Sequence, residues 1–164
     1  MPITHSPNGE HRSESCSYQQ ESLVSVRKDV IELARADWEE INHDNEAYPF
    51  NPDWDLYSLL EDNGSLMIFT ARDNGVLVGY FSVVKSPSLH SKGKFILCND
   101  VIYLHKDHRK GRTGIGLFKF VETCLKEDGY SNLQILYSQK YDINPLLSRL
   151  GYNHIESKYE KRLR

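Results

Sequence analysis

A short, basic, glycine-rich segment connects an apolar stretch to an amphipathic one, and this junction limits the folds open to the chain. Residues 95–104 (FILCNDVIYL) have the composition of a strand, and apolar residues spaced i, i+3, i+4, i+7 and i+8 from Leu117 predict a helix over residues 114–128. The connecting residues 105–112 contain four Lys or Arg and one Asp, although the whole chain has a formal charge of −3. Glycines at a helix start leave backbone N–H groups uncovered, and such groups bind phosphates. The junction therefore predicts an α/β fold with an anion site.

The rest of the chain alternates between helical and extended periodicity. Spacings of three and four residues predict further helices over residues 26–41, 54–60 and 145–150. Alternation of period two predicts strands over residues 66–71, 76–84, 133–137 and 154–163. Asn74-Gly75 predicts a tight hairpin turn between the first two of these strands. This order indicates an antiparallel meander followed by a crossover helix.

The N-terminal segment differs in composition from the rest. Residues 1–21 contain no aliphatic residue beyond Met1 and Ile3, so they bury too little apolar area to offset the entropy of ordering. Since 164 residues suit one domain, we expect a disordered tail over residues 1–21 and a single domain over residues 22–164. His5 and His11 in that tail are expected to be solvated, and no metal site is expected.

Charge, hydropathy and cysteine usage argue against several classes of protein. A net charge of −3 is unlike the basic excess of a general nucleic-acid binder. No run reaches the ~20 apolar residues of a membrane span, and no signal-peptide pattern begins the chain. Three cysteines without a CxxC pair favour free thiols in a reducing compartment, so we expect a cytoplasmic protein. An edge strand near the C-terminus would permit a homodimer.

Two common phosphate-binding motifs do not match the junction. The dinucleotide spacing G-x-G-x-x-G fails because Lys119 stands at the third glycine position after Gly114 and Gly116. The mononucleotide motif requires Gly-Lys followed by Ser or Thr, and the turn has no such tripeptide. From the residues alone, two interpretations of the junction stay open. It is a solvated basic loop without a ligand, or it is a regulatory site that binds an anion of a different kind.

The junction resembles the pyrophosphate loop of the GNAT N-acetyltransferases. That family has R-x-x-G-x-G/A between a strand and a helix. Residues 109–114 (RKGRTG) keep the leading Arg and the final Gly, with Arg112 in place of the first Gly. Asn144 and the later Leu150-Gly151-Tyr152 resemble the family's N…LGF segment. W-E-E-I at residues 38–41 and P-F-N-P-D at residues 49–53 resemble short members encoded by bacteriophages.

The resemblance implies a fold and a cofactor. The fold is α/β, with a mixed, mostly antiparallel sheet that is splayed at its centre and flanked by helices. The cofactor is acetyl-CoA, with its pantetheine arm between residues 95–104 and 133–137 and its pyrophosphate on the glycine-rich turn. The implied cofactor contacts are Ile102, Tyr103, Leu104, Arg109, Lys110, Gly111, Arg112, Thr113, Gly114, Gly116 and Asn144.

The resemblance also implies direct attack of an amine on the thioester. The amine must lose a proton, and Asp100, a carboxylate within an apolar strand, is the candidate base or the anchor of a base water. A structural Asp hydrogen-bonded to neighbouring amides is the alternative. Leu147 stands where family members often have the tyrosine that protonates the thiolate. Either solvent protonates the thiolate, or the protein is a catalytically silent binding or effector protein.

The acceptor side carries an acidic signal. Residues 36–62 contain nine carboxylates and no Lys or Arg, and in the family this region borders the acceptor cleft. An acidic rim concentrates a cationic amine, which is either a protein lysine or N-terminus or a small-molecule amine. The candidate acceptor contacts are Glu39, Glu40 and His43. A solvated helical face is the alternative interpretation.

Overall fold

Four antiparallel strands form the sheet, and they lie side by side in chain order. The computed structural model describes residues 16–41, 48–161 and 163. The strands are β1 (Cys16–Gln20), β2 (Leu66–Asp73), β3 (Val76–Pro87) and β4 (Phe95–Leu104), in the sheet order β1-β2-β3-β4. The helices are α1 (Leu23–Ile41), α2 (Trp54–Asp62), α3 (Thr113–Glu127) and α4 (Asn144–Arg149), with a 3-10 turn at Lys106–His108.

Helices cover both faces of the sheet. Successive strand residues face opposite sides, so Phe69 and Phe81 pack into the core that includes α3, whereas Ile68 and Tyr80 pack into the core that includes α1. Full burial of one large apolar side chain contributes roughly 1.5–3 kcal/mol, and each face buries several. The predicted α/β class, with a mostly antiparallel sheet flanked by helices, is confirmed.

The local signals for helices and for the hairpin are confirmed. α1, α2, α3 and α4 overlap the four predicted helices, with ends that differ by at most three residues. Asp53 caps α2, since its Oδ1 accepts a hydrogen bond from the Leu56 N–H at 3.0 Å. Asn74 and Gly75 both have positive φ, 48° and 83°, as the tight turn between β2 and β3 requires.

The predicted tail boundary is wrong for residues 16–20, which form β1. Cys16 and Tyr18 face the core and are buried, and the strand pairs antiparallel with β2 along its whole length. The sequence analysis missed β1 because its inward residues are a cysteine and a tyrosine rather than aliphatic residues. The rest of the predicted tail, residues 1–15 with His5 and His11, lies outside the described residues.

The two predicted C-terminal strands are not regular strands. Residues 133–137 make a single parallel bridge, between Gln134 and Cys98 of β4. Residues 153–161, where the closing strand was expected to begin, have no regular secondary structure. Ile155 and Tyr159 are 75% and 91% exposed, so their alternation has no apolar surface to pack against within the described part of the chain.

The three cysteines are free thiols. Cys16 is buried, and Cys98 and Cys124 are half-buried. Burial, with help from the Glu127 carboxylate, raises the pKa of Cys124 to about 11, so this thiol is protonated at neutral pH.

Within residues 16–41, 48–161 and 163, no helix has the length and apolar character that spanning a membrane requires.

Candidate functional site

A gap opens beside β4, and we use "the gap" for the space between residues 100–104 and the segment after Leu136. In the part of β4 that precedes the gap, two backbone hydrogen bonds join the strand to Gln134. Gln134 N–H donates to Leu97 C=O at 2.9 Å, and Asn99 N–H donates to Gln134 C=O at 3.3 Å. The Asn99 side chain then bonds the Leu136 backbone twice, at 2.6 and 2.8 Å. The parallel pairing ends there, so β4 is the last strand of the sheet and residues 133–137 accompany only its first half.

A β-bulge in β4 coincides with the start of the gap. Ser82 of β3 pairs with Val101 and Val83 pairs with Asn99, so Asp100 is an extra residue in β4. Bulges bend a strand and increase its twist. The bend therefore directs β4 away from residues 133–137 at Asp100.

The backbone of Ile102 and Leu104 faces the gap. His105 N–H donates to Val78 C=O at 2.7 Å, and in an antiparallel ladder the residues that bond the partner strand alternate. Tyr103 therefore bonds β3, while Ile102 and Leu104 direct their N–H and C=O groups to the opposite side. The gap is thus bordered by a strand edge without a backbone partner, although the Leu104 C=O accepts a hydrogen bond from Arg109 Nε.

The glycine-rich turn places free amides at the end of the gap. No backbone N–H from Lys110 to Ile115 makes a hydrogen bond within the described structure. Gly111 has a φ of +114°, a conformation that favours glycine, and Arg112 precedes α3 without a side-chain cap. Six consecutive free amides lie before and within the first turn of the 15-residue helix α3, and N–H groups in this position can bind an anion.

Gly116 is the next residue after these free amides, and its own N–H is not free. Its N–H donates to Arg112 C=O at 2.8 Å, and a Cβ at this position would overlap the Tyr18 hydroxyl. The structure thus gives this glycine a packing role, whereas the sequence analysis placed it among the cofactor contacts.

Arg109 does not point at the free amides. Its Nε donates to Leu104 C=O at 2.8 Å, and its Nη2 donates to the two Glu40 carboxylate oxygens at 3.0 and 2.7 Å. The Tyr103 hydroxyl also donates to Glu40, at 3.0 Å. Although burial opposes it, these hydrogen bonds hold the pKa of Glu40 below its usual range. Glu40, a predicted acceptor contact, thereby joins α1 to the glycine-rich turn.

A cavity of about 260 Å³ lies between α1, residues 49–54 and the sheet, and we call it the α1 cavity. Its lining is mainly apolar and aromatic, with Trp38, Phe50, Trp54, Tyr57 and Tyr80 among its walls. Two carboxylates, from Asp37 and Asp100, also line it.

Asp100 is exposed at the β4 bulge rather than buried in the strand. Its Oδ2 accepts hydrogen bonds from the Tyr57 hydroxyl at 2.6 Å and from Ser82 Oγ at 3.3 Å. Burial and the adjacent Asp100 charge raise the pKa of Tyr57, so this hydroxyl stays protonated and donates. Both partners hold the carboxylate where the gap and the α1 cavity meet.

Asp37 is the site residue that the sequence analysis did not single out. Burial, reinforced by the charges of Glu40 and Asp100 and partly offset by Arg109, raises its pKa to about 7. No described residue donates a hydrogen bond to its carboxylate. The sequence contained a signal, because Asp37 follows Leu33 by four residues and so lies on the apolar face of α1.

The other predicted site residues are spread more widely. Glu39 is exposed and does not line the α1 cavity, and His43 lies outside the described residues. Asn144 is exposed at the start of α4. Leu147 lies in the core, where it is 8% exposed, and its hydrocarbon side chain has no proton to donate. In the described ranges, no group of three or more His, Cys, Asp or Glu side chains is placed to hold a metal ion.

Comparison with known proteins gives the fold. No protein-family model matches the chain, and no curated protein matches it by sequence. A GCN5-related N-acetyltransferase from Ralstonia eutropha superimposes with a TM-score of 0.71 at 12% identity, covering 90% of this chain and 98% of that one. This chain has the GNAT fold.

Two other GNAT-like structures match over similar lengths. A predicted acetyltransferase from Clostridium acetobutylicum, with acetyl-CoA, has a TM-score of 0.66 at 14% identity, covering 90% of this chain and 96% of that one. An aminoglycoside acetyltransferase from an uncultured soil metagenomic sample, in complex with sisomicin, has a TM-score of 0.69 at 14% identity, covering 91% and 97%. At these identities the likeness establishes the GNAT fold, and the ligands must be argued from the site.

The raised pKa of Asp37 predicts a pH-dependent effect of Asp37→Asn on stability. Because the folded protein binds this proton more tightly than the unfolded chain, wild-type stability falls as pH rises from about 4 to about 7. We expect the stability gained by Asp37→Asn to increase between pH 5 and pH 8 by on the order of 1–2 kcal/mol, after discounting for solvent screening. Urea unfolding at both pH values measures this.

Glu32→Gln is the matched control, since it removes one charge from the exposed side of the same helix. Its effect should be similar at pH 5 and pH 8. An Asp37→Asn effect that does not change with pH would show that this carboxyl is not perturbed by folding.

Proposed function

We propose that the protein is an acetyl-CoA-dependent N-acetyltransferase that transfers an acetyl group to a cationic amine by direct attack on the thioester. One observation carries this proposal: the unpaired edge of β4 at Ile102 and Leu104 leads directly to the free amides of residues 110–115. An edge for an extended amide-bearing arm and a site for a diphosphate are thereby joined in one groove.

The residues present fit acetyl-CoA. The pantetheine arm carries amide groups, which pair with a strand edge as a neighbouring strand would. The pyrophosphate suits the free amides at the start of α3, with the Lys110 and Arg112 side chains exposed beside them. The GNAT-fold protein from Clostridium acetobutylicum that contains acetyl-CoA supports the same assignment.

Arg109 competes for part of this groove. Its Nε bonds the Leu104 carbonyl, which is one of the acceptors that the arm would use. Pairing of the arm at Leu104 therefore requires the guanidinium to leave that carbonyl, while its two bonds to Glu40 can persist. Arg109 consequently links cofactor binding to the position of α1.

Asp100 is the proposed base, acting directly or through an anchored water. It accepts the first proton that the ammonium group must lose, and the amine nitrogen then bonds the acetyl carbon. The carbon–sulfur bond breaks as the nitrogen releases its second proton to solvent. Hydrogen bonds from Tyr57 and Ser82 fix the carboxylate during this step. Because Leu147 is in the core, solvent supplies the proton for the departing thiolate, whose conjugate acid has a pKa of about 8.5.

The alternative proposal is a GNAT-fold binding or effector protein without catalysis. Two observations favour it: Leu147 offers no general acid, and Arg109 occupies the Leu104 carbonyl. This protein would bind acetyl-CoA and release no thiol with any amine.

Cysteine usage bears on the cellular setting. We propose a cytoplasmic protein, which the three free cysteines support, and the host cytoplasm if the gene belongs to a bacteriophage. The acceptor is a small-molecule or protein amine, and a homodimer stays a prediction.

Gly114 provides a test of cofactor binding. A Cβ at Gly114 would lie 3.6 Å from Leu104 Cδ2, an ordinary contact, so Gly114→Ala should fold and retain cofactor affinity within about threefold. Gly114→Trp should fill the space before the free amides and weaken acetyl-CoA binding at least about tenfold. Isothermal titration measures both, with circular dichroism to check folding. If wild type does not bind acetyl-CoA, both GNAT proposals fail.

Asp100→Asn tests the chemical step. Asn keeps the hydrogen bond from Tyr57 but accepts no proton, so kcat should fall on the order of a hundredfold. Acetyl-CoA affinity should stay near that of wild type, because Asp100 is not among the residues of the anion site. Thiol release and isothermal titration report the two quantities. An unchanged kcat would remove Asp100 from the mechanism.

A further inference from the structure

We infer that the α1 cavity selects a small arylalkylamine as the acceptor, with its apolar body among the aromatic walls and its ammonium group against Asp37. This inference rests on the proposed function and adds the chemical class of the acceptor. It also reassigns the cation contact from Glu39, Glu40 and His43 to Asp37.

The size of the cavity limits the acceptor. Pockets for drug-sized ligands commonly measure about 300–1,000 Å³. The α1 cavity measures about 260 Å³, so it accommodates one ring with a short side chain rather than several linked rings.

The lining favours an apolar body. Trp38, Phe50 and Trp54 supply aromatic surface, and Val30, Ala34 and Ile68 are among the aliphatic walls. The Ser82 and Tyr57 hydroxyls are already bonded to Asp100. Few other polar side chains line the cavity, among them Asn51, Tyr80 and Trp38. An amine with many hydroxyl groups would therefore leave most of them without partners, at a cost of roughly 1–3 kcal/mol for each buried group.

The charge of the cavity favours a cation. No described lining residue is Lys, Arg or His, whereas two are Asp. Asp100 is already bonded by Tyr57 and Ser82, but Asp37 has no hydrogen-bond donor in the described chain. An ammonium group that enters the cavity thus supplies the partner that Asp37 lacks.

The position of the cavity suits an acyl acceptor. Asp100 lines the cavity and also stands at the bulge where the gap begins. An amine bound against Asp37 therefore faces the end of the gap at which the proposed base stands.

Tryptophan fluorescence measures binding without requiring turnover. The chain has two tryptophans, Trp38 and Trp54, and both line the cavity. Titration with 2-phenylethylamine should give a saturable change. The neutral analogue 2-phenylethanol and an aminoglycoside should each bind at least about tenfold more weakly.

Paired variants test the role of Asp37. Asp37→Asn should weaken 2-phenylethylamine binding at least about tenfold, whereas Glu32→Gln, which removes an exposed carboxylate from the same helix, should leave it unchanged. Circular dichroism checks that both variants fold. If Asp37→Asn does not fold, the comparison of 2-phenylethylamine with 2-phenylethanol on wild type tests whether the cavity selects the ammonium group.

The outcomes separate the two proposals. Any one of three results overturns the inference: the aminoglycoside binds more tightly than 2-phenylethylamine, the amine and the alcohol bind equally, or 2-phenylethylamine causes no fluorescence change. This holds even if acetyl transfer to another amine is observed. Amine binding of the expected pattern without thiol release supports the cavity assignment and contradicts the proposed enzymatic function.

Discussion

The pairing of β4 with residues 133–137 stops after one bridge, and the rest of the site depends on that interruption. Asp100 is an extra residue in β4, and the Asn99 side chain ties Leu136 immediately before it. If the parallel pairing continued, the backbone of Ile102 and Leu104 would be occupied by another strand. The interruption leaves that edge without a backbone partner and places Asp100 at its beginning, between the gap and the α1 cavity.

The carboxylates of α1 show how neighbouring groups acquire different properties. Glu40 receives hydrogen bonds from Arg109 and Tyr103, which lower its pKa despite burial. Asp37, one turn earlier, lacks such donors, and burial raises its pKa to about 7. The acidic composition of residues 36–62 is therefore not one uniform rim. One carboxylate joins α1 to the glycine-rich turn, and the other lines a mainly apolar cavity.

Local signals predicted most of the fold. Apolar spacing gave the helices, Asn74-Gly75 gave the hairpin turn, and the glycine-rich junction marked the free amides before α3. Strands stabilised mainly by tertiary contacts were harder to predict. β1 was missed because Cys16 and Tyr18 provide its buried side. Residues 133–137 diverge from β4 because the Asn99 side chain takes up the Leu136 backbone and the bulge follows at once.

The geometry of the candidate site was predictable only where it depends on local structure. The free amides of residues 110–115 follow from sequence because a helix start leaves its first N–H groups without partners. Arg109 was assigned to that site, but its partner Glu40 is 69 residues away, and no sequence pattern pairs them. Asp37 was detectable from its place on the apolar face of α1, although only the folded chain shows that it lines a cavity with Asp100.

Amide-resolved NMR during titration with coenzyme A tests the central claim most directly. The account predicts that the largest chemical-shift changes and the largest gain in protection from hydrogen exchange occur at Ile102, Leu104 and residues 110–115. Gly116, whose N–H is already bonded within α3, should gain little protection. Saturable binding that leaves Ile102, Leu104 and residues 110–115 unchanged would contradict the account.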